Sequence, residues 1–333
     1  MDELNLLRDL RSETPEPDDD RLRTLLLRSL PNRRRPRLLP YLLVLGTGAV
    51  AVVTAGGLMA SPGVEAPPPK NPSTFEYRGT LVDAETTLRQ MAASVEKNEP
   101  DAIPRPEQWM YRKVIVKQAD HTTGEAQEYW RRYDGGQQAV RIGQGPLDLH
   151  THAPEPDDDD LTPQEYAAKL ADLPTDPDKL LAHVKSDRHW RIKPTGDPGD
   201  QEHSDARAFR VLSLYLEQQV PTPSTLDAAI FRALAKIPGV RVHTGIRDAL
   251  DRPGIGIEYD AGAPGVGTSR NRAGDVISRS YVILAPDTYR FLGRRVDYLR
   301  DETLGGEVLS PRGSGYATAE VASGIVDKPG QVP

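Results

Sequence analysis

The apolar positions of this 333-residue chain are concentrated in one long run near its start. From Leu38 to Val64 the sequence contains no Asp, Glu, Lys, Arg or His. About 20 helical residues at roughly 1.5 Å per residue span about 30 Å, which is the thickness of the hydrocarbon core of a bilayer. The pattern therefore predicts a transmembrane helix over residues 38–60, with a helix buried in a soluble domain as the alternative.

The charges on the two sides of this run predict its orientation. Four arginines precede it directly (Arg33, Arg34, Arg35 and Arg37), whereas Glu65 and Lys70 are the only charges among residues 61–70. Because basic residues are enriched on the cytoplasmic side, we expect the N-terminus inside the cell and the C-terminal domain outside. A cleaved signal peptide is the rival interpretation, although 37 preceding residues are long for its basic region.

Residues 1–37 form an arginine-rich segment with two apolar stripes. Leu6, Leu7 and Leu10 predict one short amphipathic helix, and a second stripe lies between Arg21 and Leu30. Helices this short are marginal alone in water, so a partner protein, the membrane surface or partial disorder must accommodate the leucines. No Cys or His precedes His121, which excludes a zinc-binding cytoplasmic tail.

The remaining chain predicts a proline-rich linker and one folded domain. Five prolines between residues 61 and 74 indicate an extended spacer. Within 75–333, strands come first, then helices, then strands again, and Thr162-Pro163-Gln164-Glu165 is a capping box that marks one helix start. The predicted fold class is α+β, with one transmembrane helix followed by a curved antiparallel sheet that has helices packed on one face.

Composition removes several classes of function. The net charge is −7 at pH 7, and the chain beyond the first 37 residues lacks clustered Lys and Arg, which argues against nucleic acid as a partner. The absence of cysteine excludes disulfides, thiol catalysis, iron–sulfur clusters and a lipoprotein anchor.

No motif for enzyme chemistry is present, so we expect no catalytic residues, no metal site and no cofactor. His150-Thr151-His152 followed by Asp157 to Asp160 has metal-ligand residue types, but a solvated acidic loop is the better interpretation. Trp109, Tyr129, Trp130 and Tyr133 are candidates to line an apolar ligand cavity under the sheet, with ordinary core packing as the alternative.

Four segments resemble an uncharacterised actinobacterial family of single-pass membrane proteins. They are Met-Asp-Glu-Leu at 1–4 with Leu7-Arg8, the arginine run before the apolar segment, Ala-Leu-Ala-Lys-Ile-Pro-Gly-Val at 233–240, and the tail at 284–293 and 324–327. The resemblance implies an association with an extracytoplasmic-function sigma factor. It also implies an outer domain similar to lipoprotein-carrier and sigma-regulator periplasmic folds, and it brings no catalytic residues.

Together these features predict a membrane-anchored sensor or regulatory binding protein rather than an enzyme. Its outer domain would bind an envelope lipid, peptide or protein, and its tail would contact a cytoplasmic sigma factor. The alternative is a carrier of an apolar ligand, a lipid or a lipoprotein, with a passive anchor in the lipid bilayer. A cell-wall hydrolase is a third class, which would require carboxylates from distant segments to meet in one cleft.

Overall fold

The computed structural model describes the folded C-terminal part of the chain. It describes residues 79–99, 101–119, 122–151, 161–187, 203–218, 220–260, 267–271, 273–304 and 307–333. The predicted cytoplasmic segment 1–37, membrane segment 38–60 and linker 61–74 lie outside these residues, as do the four arginines used to assign orientation. The described ranges all belong to the domain predicted for 75–333.

Five helices and thirteen strands make up the described part of the domain. The helices are α1 (Ala84–Val95), α2 (Pro163–Ala171), α3 (Pro177–Ser186), α4 (Ser204–Glu217) and α5 (Ser224–Leu234). The strands are β1 (Thr80–Val82), β2 (Trp109–Lys117), β3 (Gln127–Arg132), β4 (Gln137–Ile142), β5 (Asp148–Thr151), β6 (Val240–Arg247), β7 (Pro253–Tyr259), β8 (Ser269–Arg270), β9 (Val276–Leu284), β10 (Phe291–Tyr298), β11 (Glu302–Leu304), β12 (Glu307–Ser310) and β13 (Gly315–Val326).

Eleven of the strands form one antiparallel sheet in the order β1-β6-β7-β9-β10-β13-β2-β3-β4-β5, with β8 paired to β9. The long strand β13 pairs with β10 on one side and with β2 on the other. It therefore joins strands β2–β5, which precede α2 in the sequence, to strands that follow α5. Strands β11 and β12 form a separate two-stranded sheet.

All five helices share an apolar core with one face of strands β6, β7 and β9. Ile255, Ile257 and Tyr259 alternate along β7 and point into this core, as the two-residue period of a strand requires. Phe209 of α4 stacks on Tyr259 with ring centroids 5.4 Å apart, which fixes α4 against the sheet. Burying rings of this size contributes strongly to stability, at roughly 25 cal/mol per Å² of apolar surface.

The predicted fold class is wrong because it places one transmembrane helix before the curved antiparallel sheet with helices packed on one face. The described residues form a large antiparallel sheet with five helices. No helix among them is long and apolar enough to cross a membrane. The longest described helix has 14 residues, whereas a span needs about 20.

Several local predictions are confirmed at the level of single elements. The Thr162 side chain accepts a hydrogen bond from the backbone N–H of Glu165, and the Glu165 carboxylate accepts one from the N–H of Thr162, so the capping box is formed. The predicted hairpin between β3 and β4 turns at Gly135, whose φ of +79° suits glycine. These signals depend on neighbouring residues only, which is why the sequence reveals them.

Candidate functional site

A groove of about 280 Å³ opens where five separate parts of the domain meet. Its walls come from the end of α1 and the loop after it, the start of β2, the stretch from the end of α4 into α5 with Asp227 and Phe231, the turn and strand start at 288–291, and residues 320–325 of β13. No two neighbouring elements in the sequence could build this groove alone. It exists only because the helices close over the end of the sheet near β10 and β13.

The first turns of α5 contribute one carboxylate and one ring to the groove. Asp227 and Phe231 are four residues apart in α5, so they lie on the same helix face. Burial raises the pKa of Asp227 to about 7; the charge of Asp101 adds to this effect and Arg290 opposes it. Asp227 is therefore a carboxylic acid that changes its charge near neutral pH.

The turn between β9 and β10 supplies an aromatic ring and a guanidinium. Tyr289 has a φ of +58°, the left-handed region that is unfavourable for a non-glycine residue. Its ring meets Phe231 edge to face, with centroids 6.5 Å apart. Arg290 Nη2 lies 2.5 Å from Asp101 Oδ1, which ties this turn to the segment after α1. Strained backbone of this kind, held by surrounding contacts, is concentrated at binding sites.

Strand β13 provides a second largely buried carboxylate, on another wall of the groove. The side chain of Glu320 is 10% exposed, and its Oε2 lies 3.1 Å from Arg112 Nε. Burial raises the pKa of Glu320, and the charge of Arg112 opposes this rise. The Arg112 guanidinium also lies over the ring of Phe291, 5.6 Å from its centroid. This wall therefore presents a carboxylate and an aromatic face, and Arg112, which does not itself line the groove, lies against both.

The groove is acidic as a whole. Four of its lining residues carry a carboxylate: Glu99, Asp101, Asp227 and Glu320. Among the described residues that line it, only Arg290 carries a positive charge. Perturbed carboxylates in a cleft with aromatic walls are the usual properties of a binding or catalytic site. Such a groove favours positively charged ligand groups and disfavours anions.

The four aromatic residues predicted to line a cavity do not line this groove. Trp109 and Trp130 lie together in a small cluster with Tyr111, and the indole N–H of Trp130 donates to the backbone carbonyl of Gln331 at 2.6 Å. Tyr133 belongs to the helical core instead. Tyr129 is half-buried on strand β3, next to Trp130 and therefore on the other face.

The histidine-rich segment is placed only in part. His150 lies on β5, with Nε2 3.0 Å from Asp148 Oδ2, while His152 and residues 157–160 fall outside the described residues. Over the described ranges, no three His, Asp or Glu side chains are grouped as a metal ion would require.

A second buried polar cluster lies on the sheet face away from the helices. Glu258 is fully buried and contacts His243, Thr268 and Arg279. Asp297 lies two residues along β10 from Arg295, with which it pairs at 2.7 Å. Since these groups are paired with each other, the cluster is better explained as a support of the sheet than as a ligand site.

Sequence reasoning missed Asp227, Glu320, Tyr289 and Arg290 as site residues. The turn that carries Tyr289 was visible as Ala285-Pro286-Asp287-Thr288 between two strands, but nothing local distinguishes its ring or the two carboxylates. A comparison with protein-family models finds no match for this chain, and a comparison with curated protein sequences finds none either.

Proposed function

We propose that the described domain is the ligand-binding part of a regulatory sensor and that the acidic groove is its binding site. The observation that supports this most directly is the convergence of Asp227, Tyr289 and Glu320 from three distant segments on one cavity. A cavity with a few converging polar groups and perturbed carboxylates is the default location of a binding site.

The alternative function, a carrier for an apolar ligand, has less support. The helix-covered face of the sheet is filled by core side chains such as Leu212, Ile230 and Val282, all at most 3% exposed. Ligand pockets commonly measure about 300–1,000 Å³ and are mostly apolar. The groove is smaller and is lined by carboxylates, which an acyl chain would have to desolvate.

Ligand-observed NMR with a library of small molecules and short peptides tests the proposed binding function. Ala102 lines the groove from an exposed loop position, so Ala102→Trp should fill the groove with little effect on folding. Ala168→Trp, at an exposed position of α2, is the matched control. We expect ligands that bind the wild type and the control but not Ala102→Trp; ligands indifferent to Ala102→Trp would count against the groove as the site.

A hydrolase is a second candidate because carboxylates from distant segments do meet in one cleft. Asp227 and Glu320 both have raised pKa values and lie 93 positions apart in the sequence. One protonated and one ionised carboxyl are the requirement for glycoside hydrolysis. Release of soluble fragments from purified peptidoglycan by the wild type but not by Asp227→Asn would support this function, and no release by the wild type would eliminate it.

The location at the cell membrane and the sigma-factor partner remain proposals from the sequence. They rest on the charge-free residues 38–64 and on the leucine stripes of the first 37 residues. Membrane fractionation of the full chain tests the location. Affinity purification with residues 1–37 as bait tests the partner: recovery of an identified sigma factor supports it, and recovery of none argues for a passive anchor.

A further inference from the structure

We infer that the acidic groove binds a ligand through a positively charged group, an ammonium or a guanidinium, placed between the carboxylate of Asp227 and the ring of Tyr289. This inference rests on the proposed binding function and adds the chemical class of the ligand. A lysine or arginine side chain of a peptide and a free amine share this chemistry.

The balance of charge in the groove favours a cationic ligand group. Four carboxylates line it; Arg290 is paired with Asp101, and Arg112, which lies beside the groove, is paired with Glu320, so two carboxylates remain in excess. An anionic ligand would be repelled here, and an apolar ligand would leave the carboxylates desolvated without partners. A cationic group is attracted by the carboxylates and provides them with a charged partner when water is displaced.

Beside one wall of the groove, a cation of this chain is already bound in the proposed manner. The Arg112 guanidinium lies over the Phe291 ring at 5.6 Å while its Nε lies 3.1 Å from Glu320 Oε2. An aromatic face and a carboxylate together attract a cation more strongly than either does alone, especially when partly desolvated.

A second wall combines a carboxylate with aromatic rings, and its own guanidinium, Arg290, is paired with Asp101. Asp227 lies one helical turn from Phe231, and Phe231 packs edge to face on Tyr289. Across the described ranges, the Asp227 carboxyl forms no hydrogen bond or ion pair; Arg290 influences it only through its charge. A half-buried carboxylate beside aromatic rings in an open cavity is therefore available to a ligand.

The nature of the cation is organic rather than metallic. A divalent metal ion needs three or more oxygen or nitrogen ligands around one point, and no such group of His, Asp or Glu occurs in the described part of the chain. The faces of aromatic rings attract an ammonium or guanidinium through their quadrupole.

Isothermal titration with blocked tripeptides tests the inference on the folded protein at pH 8. The probes are Ala-Lys-Ala, Ala-Gln-Ala and Ala-Glu-Ala, which differ in the charge of one side chain, and the diamine cadaverine as a free amine. We expect Ala-Lys-Ala to bind about tenfold more tightly than Ala-Gln-Ala, the usual size of a charge-assisted contact. Asp227→Asn should abolish this preference, and Asp172→Asn, at an exposed position after α2, should keep it.

The outcomes separate this inference from the proposed function. Binding of cadaverine with the same dependence on Asp227 supports a free amine as the source, whereas binding of the lysine peptide alone supports a peptide. If Ala-Gln-Ala binds as tightly as Ala-Lys-Ala, or if no probe binds, the cation inference is overturned. In the first of these cases, loss of Ala-Gln-Ala binding in Ala102→Trp would leave the proposed binding function intact.

Discussion

The side chains of His243 and Glu258 form a buried pair between neighbouring strands β6 and β7, with Nε2 2.8 Å from Oε2. They are 3% and 0% exposed. Removing one partner leaves a carboxylate in a dry environment, which costs several kcal/mol. We therefore expect His243→Leu to lower the free energy of unfolding by about 3 kcal/mol, measured by urea denaturation followed by circular dichroism.

A solvent-exposed ion pair provides the control for this prediction. Lys236 Nζ lies 2.6 Å from Asp178 Oδ1, with the two side chains 42% and 72% exposed. Because water screens such a pair, Lys236→Met should change the free energy of unfolding by less than about 1 kcal/mol. Equal losses in the two variants would contradict the structural role of the buried pair.

The same pair makes the domain sensitive to acid. Burial alone would raise the pKa of Glu258, but hydrogen bonds from His243 and Thr268 and the charge of Arg279 together hold it below its usual value. A carboxyl whose pKa is depressed on folding contributes stability above the pKa of the unfolded chain and loses it as pH falls through the folded value. The melting temperature of the wild type should therefore fall more steeply than that of Glu258→Gln between about pH 5 and pH 3.

One other buried carboxylate is coupled to this comparison. Glu320 and Asp297 have raised pKa values and act in the opposite direction; Glu320 is the same in both proteins, whereas the charge of Glu258 is one cause of the raised pKa of Asp297. The difference between the two pH profiles therefore reports on Glu258 together with its coupling to Asp297. Parallel profiles for the wild type and Glu258→Gln would show that its pKa is not depressed.

The helices were the most predictable part of this fold because their signals are local. Capping at Thr162 and Asp176 and the apolar stripe of α5 need only residues within one or two turns. Strand β1, with three residues, and β5, with four, are too short to show alternation, and they form only because β6 and β4 lie beside them. Tertiary pairing, not the local pattern, makes these segments strands.

The groove was less predictable than the fold because the residues that form it are far apart in the sequence. Asp227 in a helix and Glu320 in a strand have the sequence signature of ordinary surface carboxylates. Their raised pKa values follow from burial, which arises only when α5 and β13 approach the same groove. The membrane segment was inferred from a charge-free apolar run that lies outside the described residues, and the described helices include none that spans a membrane.

The strained backbone of Tyr289 predicts that a substitution by glycine changes the ligand affinity more than the free energy of unfolding. A non-glycine residue with a φ of +58° costs about 1 kcal/mol, and Tyr289→Gly relieves this cost while losing the packing on Phe231. We expect its free energy of unfolding to stay within about 1 kcal/mol of the wild type, while the affinity for the lysine tripeptide falls because one aromatic wall is gone.

Asp287→Gly is the control for added flexibility in the same turn. Asp287 is exposed and does not line the groove. Its substitution by glycine should leave the affinity for the lysine tripeptide unchanged. If both variants weaken binding equally, the rigidity of the turn determines the affinity and the ring of Tyr289 does not contact the ligand.

We expect Asp227 to lower the free energy of unfolding of the domain at pH values where its carboxyl group is ionised. Its pKa rises from 3.8 to about 7 on folding, so between these values the folded protein holds a proton that the unfolded chain has released. The folded state therefore binds more protons, and the contribution of Asp227 to stability falls as pH rises from about 4 to about 7 and is constant above that. Asn resembles the protonated acid at every pH.

Asp227→Asn is accordingly expected to be more stable than the wild type by about 2–4 kcal/mol at pH 8, since each pKa unit is worth about 1.4 kcal/mol. At pH 4 the two proteins should be equally stable. Urea denaturation at both pH values measures the difference, and Asp172→Asn should show no gain at either. Functional sites often contain residues that lower stability, so a variant that gains stability and no longer binds the lysine tripeptide would place the binding function in the groove.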